Sequence, residues 1–289
     1  MIVVRIWEGL GNQLFQYAYA RSLQLRTGLP IYLDIRHRNR GDIPYEKADV
    51  VKRRLGIQHF NIPMKRIDTR KISGLRCLDN EKRYHQLQYN LKKNGLGRWH
   101  LLDDEDNMTD ICPDILSPRD FSYISAHCLN RDYFKDSRDI LLQELQLKRG
   151  IKLSDDLGRI LKNKNTVSIH IRLTDYLRHP AVLCRQDYYN AAIQYVRTTI
   201  PNPYFIVFTD DPQMARKRYE FQDNVYWISD DGYKDYEELD IMSRCRHNIL
   251  ARSTFGYWGA WLNQNPEKLV IVPRRWLGGR LYEKNWKVF

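Results

Sequence analysis

No stretch of this sequence reaches the roughly 18 apolar residues that a membrane-spanning helix needs, so no helical span is expected. No secretory signal is expected either, because Arg5 interrupts the apolar start MIVVRIW and no small-residue cleavage site follows. Cysteine is scarce and unpatterned. The five residues (Cys77, Cys112, Cys128, Cys184, Cys245) are odd in number and form no C-x-x-C, which argues for reduced structural thiols over a disulfide framework or zinc site. No carboxylates gather into a metal cage. Outside the acidic run Asp103 to Asp106 there is no D-x-D, the pattern that would hold Mg²⁺ or Mn²⁺ on a diphosphate. Low-complexity tracts and a recognisable nucleic-acid module are also missing.

What remains is a chain of 289 residues, 43% hydrophobic and 28% charged, which suits a well-cored protein of one large or two ordinary domains. The formal net charge is +12. Nucleic acid, an anionic lipid surface or a phosphorylated small molecule could each use it. The basic residues are spread along the chain, densest at Arg36 to Arg40 and Lys52 to Arg54. A solvated basic surface or attraction to an anionic membrane face fits that spread better than nucleic-acid binding does. A cytoplasmic protein with peripheral contact at the inner membrane face is therefore expected.

Along the chain, IVVRIW (2–7) reads as a buried strand, Gly9 and Gly11 as a turn, 12–27 as a helix ended by Gly28 and Pro30, and IYLDI (31–35) as a second strand. Residues 36–120 are polar and broken by Gly and Pro, and carry no motif. YISAHC (123–128) is a possible strand before a Leu-rich helix near 135–147. From 166 onward strands at 166–172, 204–210, 224–229, 248–253 and 269–273 alternate with helices at 186–199, from Pro212, at 235–244 and at 254–263. This alternation predicts an α/β protein with parallel sheets, divided into 1–152 and 153–289, with ligands at the carboxyl ends of the strands.

Three segments carry candidate chemistry. In E-G-L-G-N-Q (8–13) the glycines let backbone approach a ligand, the following helix N-terminus favours negative charge, and Asn12 and Gln13 add amides. A glycine turn after a strand serves plain connection geometry equally well. In H-I-R-L-T-D-Y (170–176), His170 and Arg172 share one face of a strand that should be buried, a costly placement unless a ligand or partner meets them. The arginine fork suits a diphosphate, and an Arg172–Asp175 ion pair is the structural alternative. In R-S-T-F (252–255), Ser253 caps a helix with Thr254 in its first turn, a phosphate site or an ordinary cap. The helix FGYWGAWL reads as core. Asp210 and Asp211 could bond ribose or guanine, or cap the helix that Pro212 opens. Glu237 and Glu238 carry the same ambiguity.

Taken in order, G-L-G-N-Q-L-F-Q-Y-A (9–18), H-I-R-x-x-D-Y (170–176), F-T-D-D (208–211) and M-S-R-C-R-H-N-I-L-A-x-S-T-F-x-x-W-G-A-W-L (242–262) resemble the bacterial α-1,2-fucosyltransferases, glycosyltransferase family 11. The resemblance covers the first 20 residues and most of 166–276. It implies a GT-B-like fold of two Rossmann-type domains, acceptor-side first and GDP-sugar-binding second. It implies an inverting transfer of L-fucose from GDP-β-L-fucose to a galactose-type hydroxyl of a surface or lipid-linked glycan, with no metal and no cofactor. On that basis Arg172, Asn12 and Asp175 are candidate catalytic residues. His170, Arg172, Ser253, Thr254, Phe255, Gly11, Gln13, Asp210 and Glu238 are candidate donor-binding residues. Asp175 and Glu8 are candidate bases, and transfer without a dedicated base is the alternative. The chain departs from the family pattern at Glu8, where Gly is usual, at Leu173-Thr174, at Arg252, at Gly256-Tyr257 and in AHCLNRDYF (126–134). These departures bear most on acceptor choice. Another GDP-sugar as donor, or a non-catalytic basic binding protein, are the other readings.

Overall fold

The Val/Ile-rich runs become parallel strands in a computed structural model of the protein, which describes residues 1–35, 54–72, 75, 99–104, 108–178, 181–221, 224–274 and 276–289. The basic clusters Arg36 to Arg40 and Lys52-Arg53, together with Cys77 and Asp106, lie outside the described residues. The chain divides into two compact units, Met1–Gln146 and Leu147–Phe289.

In the first unit, strands β1 (Ile2–Arg5), β2 (Ile31–Asp34), β3 (Arg66–Ile67), β4 (His100–Leu102) and β5 (Ser122–Ile124) form a sheet of order β3-β2-β1-β5-β4. All its pairings are parallel. Strand β1 is central, and its Ile2, Val3 and Val4 are fully buried, as a continuous apolar run in a covered parallel sheet requires. Helix α1 (Leu10–Thr27) follows β1. It ends at Gly28, whose left-handed φ of 68° lets its N–H donate to the Gln24 carbonyl at 2.8 Å without a Cβ clash. No side chain caps the start of α1. Two short helices, α2 (Pro113–Leu116) and α3 (Arg138–Glu144), complete the unit's described α-helices.

The second unit opens with α4 (Asp155–Asn163) and continues with β6 (Asn165–Ile171), α5 (Gln186–Thr199), β7 (Pro203–Thr209), α6 (Pro212–Arg218) and β8 (Val225–Trp227). It closes with α7 (Asp235–Arg244), β9 (His247–Ile249), α8 (Thr254–Leu262), β10 (Val270–Val272) and β11 (Lys287–Val288). The strand order is β11-β10-β9-β6-β7-β8, again with parallel pairings. The expected alternation is present, with two additions: α4 and the edge strand β11. The aromatic helix α8 is core. Tyr257 and Trp258 are fully buried, each worth roughly 1.5–3 kcal/mol or more of burial. A Cβ on Gly259 would sit 2.2 Å from Met242 Sδ, which shows how closely α8 packs on α7.

Both sheets reverse their winding once. In the first unit the chain runs outward from β1 through β2 to β3, while β5 lies on the other side of β1. In the second it runs from β6 through β7 to β8, and β9 returns to the other side of β6. The carboxyl ends of β1 and β5, and of β6 and β9, therefore flank the points where a doubly wound sheet opens a ligand crevice.

Candidate active site

The crevice of the second unit gathers residues from both flanking strands. Arg172 follows β6, and its Nη1 pairs with Asp210 Oδ2 at 2.9 Å, with about a fifth of each side chain exposed. Asp210 follows β7. It also accepts the Leu173 N–H at 2.8 Å and the Thr174 hydroxyl. One carboxylate thus fixes the arginine and the loop behind it. The expected alternative partner, Asp175, lies in the 3₁₀ turn Thr174–Arg178, and its side chain is outside the described residues. Arg172 also lies over the Tyr176 ring at 5.8 Å, while the Tyr176 hydroxyl donates to the Arg252 carbonyl at 2.7 Å. Those contacts tie the loop after β6 to the segment after β9.

Ser253 and Thr254 stand on that segment. Ser253 is the N-cap of α8, and its Oγ accepts the Phe255 N–H at a long 3.3 Å. The N–H groups of Thr254 and Gly256 make no hydrogen bond among the described residues. A weakly capped helix start with free donors is an anion-accepting feature.

His170 lies beneath this helix start. It is 4% exposed, its ring is 5.5 Å from that of Phe255, and its Nδ1 is buried without a partner among the described residues. A Cβ on Gly256 would fall 2.6 Å from Nδ1, so glycine permits the close approach. Burial, reinforced by the charge of Arg172, lowers His170 to about 3 and keeps it neutral. It is a floor for the helix start, not an outward-reaching group.

Glu238 lies in the first turn of α7. Burial, with Asp235 and Asp210 nearby, pushes its carboxyl up to about 8, which makes it a neutral hydrogen-bond donor at pH 7. Asp211 caps α6 by accepting the Met214 N–H at 2.9 Å, and Glu237 accepts the Lys234 N–H at 2.7 Å, so both serve caps.

The first unit's crevice differs from the expectation at Gln13. Gln13 is fully buried, and all its amide capacity is spent within the unit. Its Nε2 donates to the Glu8 and Arg54 carbonyls at 2.7 and 2.8 Å, and its Oε1 accepts from Gly56 and Ile57. It clamps the turn and offers nothing to a ligand. Gly11 is buried inside α1. Asn12 donates from Nδ2 to the Glu8 carboxylate, and its Oδ1 is buried without a partner among the described residues.

Two further residues of this crevice were missed in the sequence, Asp104 and His127. Asp104, after β4, accepts the His127 and Cys128 N–H groups, each at 2.9 Å, and pairs with His127 Nδ1 at 3.1 Å. Asp104 thus holds His127 and the turn after β5. The other face of the imidazole looks toward Glu8, with Nε2 3.7 Å from Oε1. Burial opposes a charge on His127, but Asp104 and Glu8 outweigh it and raise the group to about 9. Their only signals in the sequence were the acidic run and the departure from the family pattern at 126–134.

No helix among the described residues is long and apolar enough to cross a membrane.

Comparison with known proteins fits this architecture. The profile of "Glycosyl transferase family 11" matches residues 103–285. The O-antigen biosynthesis glycosyltransferase WbnK of Escherichia coli is 31% identical over 306 residues, spanning 94% of this chain and 93% of the relative. An alpha-1,2-colitosyltransferase of Escherichia coli is 27% identical over 294 residues, spanning 96% and 92%. Galactoside alpha-(1,2)-fucosyltransferase 1 of Leontopithecus chrysomelas is 24% identical over 179 residues, spanning 57% of this chain and 48% of that protein. The protein is thus a glycosyltransferase, and it belongs to family 11.

Proposed function

We propose that this glycosyltransferase moves L-fucose from GDP-β-L-fucose to a galactose-type hydroxyl in α-1,2 linkage, with inversion and without a metal ion. The acceptor is a surface glycan or a lipid-linked oligosaccharide. The observation that carries this reading is the second unit's crevice, where the Arg172 fork and the free N–H groups of α8 flank one switch point. Negative charge grows on the β-phosphate as the glycosidic bond breaks, and preorganised donors in such a place stabilise it. Arg172, oriented by Asp210, binds the diphosphate together with Ser253, Thr254 and the Phe255 turn. His170 supports that turn from below, and Glu238 donates to the nucleoside. Asn12 orients the acceptor side. Asp175 is the carboxylate near Arg172 in the chain that can take the acceptor proton.

Purified protein, GDP-fucose and a β-galactoside test this directly. NMR of the product should show an α-1,2-linked fucose. A different linkage, or no transfer, removes the reading. The 27% identity to an alpha-1,2-colitosyltransferase over 96% of the chain supports a second reading, another GDP-sugar as donor. A panel of GDP-sugars under the same assay separates the two. The net charge of +12 supports peripheral binding at the cytoplasmic membrane face. Sedimentation with anionic vesicles, but not neutral ones, weakening as salt rises, is the expected result.

A further inference from the structure

The first unit carries its own chemistry at the switch point between β1 and β5. Glu8 leaves β1 and His127 leaves β5, the two strands that flank the reversal. Their facing atoms, Glu8 Oε1 and His127 Nε2, are 3.7 Å apart. That separation is too long for a hydrogen bond and short enough for one hydroxyl oxygen to bridge. Everything around the pair holds it in place. Asn12 bonds the other Glu8 oxygen, and Asp104, with a side chain only 3% exposed, holds Nδ1. The Trp7 ring lies 4.7 Å from the imidazole and is itself partly exposed, with the Arg5 guanidinium 4.9 Å from its centroid. Glu8 adopts a left-handed φ of 65°, a conformation that glycine or asparagine takes more easily. The chain thus accepts a backbone cost to put a carboxylate at this point.

We propose that Glu8 and His127 together read one hydroxyl of the acceptor sugar, which donates to Glu8 and accepts from His127, with Trp7 against the sugar's apolar face. The proposal rests on the glycosyltransferase reading above and specifies its acceptor side. A charged donor and a charged acceptor suit a group that is both acceptor and donor, and a sugar hydroxyl is such a group. An indole beside them covers the ring's C–H face. Asp104 is a positioning residue. It fixes the imidazole and, together with Glu8 on the other side, keeps it protonated against the effect of burial; the buried Cys128 thiol is the other titratable group beside Asp104.

The test uses the full chain, methyl β-galactoside and its monodeoxy analogues. Glu8→Gly removes the carboxylate and relaxes the backbone, and Glu8→Asn keeps a polar side chain in a residue that tolerates this φ. In both, the acceptor KM should rise roughly 10- to 150-fold, the scale of a lost charge-assisted hydrogen bond, while the donor KM stays within about twofold. One deoxy analogue should show no difference between wild type and Glu8→Gly, because the partner hydroxyl is already gone. In Asp104→Asn the acceptor KM should begin to rise at a lower pH than in wild type, since His127 loses its proton earlier. Equal penalties on every deoxy analogue overturn the proposal. So does a fall in kcat alone, which would assign Glu8 to proton removal. Saturation-transfer NMR of methyl β-galactoside separates this proposal from the donor reading. Binding to wild type but not to Glu8→Gly, with no transfer from any GDP-sugar, keeps the site and removes the donor reading. No binding to wild type removes the site.

Discussion

Ser253→Ala is the most informative change in the second unit, because the cap and the phosphate ligand predict different losses. As a cap, Ser253 holds one N–H of α8 at 3.3 Å, the long end of a hydrogen bond. Its removal should therefore cost about 0.5–1 kcal/mol, the lower part of the range for a capping serine. That corresponds to a fall in Tm of roughly 2–4 °C or less. As a phosphate ligand, the hydroxyl adds a charge-assisted bond worth about 1.5–3 kcal/mol, or a 10- to 150-fold loss of GDP affinity. Guanosine has no phosphate and should lose almost nothing. Isothermal titration of GDP and guanosine on wild type, Ser253→Ala and Thr254→Val reads the two effects separately from the melt. The GDP-over-guanosine preference should shrink in both variants. A lower Tm with an unchanged preference would refute the reasoning, leave Ser253 as a cap only, and put the diphosphate elsewhere.

Arg172→Ala should lower kcat by roughly 10²–10³-fold with the fold intact by circular dichroism, since the side chain stands at the crevice outside the strand core. Arg172→Lys should rescue it poorly, because one ammonium cannot replace a fork that also holds Asp210, and near-normal turnover in either variant rejects the diphosphate role. Transfer should continue in excess EDTA; a strict need for Mn²⁺ would require a carboxylate site that this reading does not contain. Gly256→Ala should destabilise the second unit by about 1–3 kcal/mol and weaken GDP, because the new methyl meets His170 Nδ1 at 2.6 Å, and an unchanged urea midpoint would show that the contact yields easily. Two histidines, the buried His170 and the half-buried His127, set opposite pH limits. His170, at about 3 folded and about 6.5 unfolded, leaves stability intact above pH 6.5 and should withdraw up to about 1.4 kcal/mol per pH unit on the way down to 3. His127, at about 9 folded, contributes fully below pH 6.5, and its contribution fades as the pH rises to 9. Urea titrations of His170→Gln and His127→Gln should flatten the acid and alkaline limbs respectively, and wild-type-like curves would reject both assignments.

The sheets were legible in the sequence because their code is local. Runs such as YFIVFT and LVIV are apolar on both faces, as a covered parallel strand requires, and Gly28 and Pro212 mark helix ends by backbone chemistry alone. The second unit's crevice was legible for a related reason: Arg172 and Ser253 stand within a few residues of strand ends, so their placement follows once the strands are found. What the sequence did not reveal depends on pairing across distance. Gln13 looks like a ligand amide in its motif, and only the chain at Arg54 to Ile57 shows that its four hydrogen bonds are already made. Asp210 looked like a nucleoside ligand until Leu173, Thr174 and Arg172 converged on it. Asp104 and His127 are 23 positions apart, each just past a strand of three residues, too short to announce itself.

On the proposed reading, the two crevices divide the work. The second unit's crevice is built from groups that any diphosphate would satisfy: a fork, a hydroxyl pair and free backbone donors. None of these reads a sugar. Such a site tolerates little change in its chemistry, because the phosphate charge is the same for every donor. The first unit's crevice instead combines Glu8, His127 and Trp7, a set whose spacing suits one hydroxyl and one ring face. It is also where the chain departs from the pattern of the fucosyltransferases it resembles, at Glu8 and through 126–134. Selectivity among sugars depends on buried polar groups that a wrong acceptor leaves unpaired, an effect far larger than a missing methylene contributes. The Glu8–His127 pair, held by Asn12 and Asp104, fits that scheme on the proposed reading: a sugar without the matching hydroxyl leaves the 3.7 Å separation unbridged.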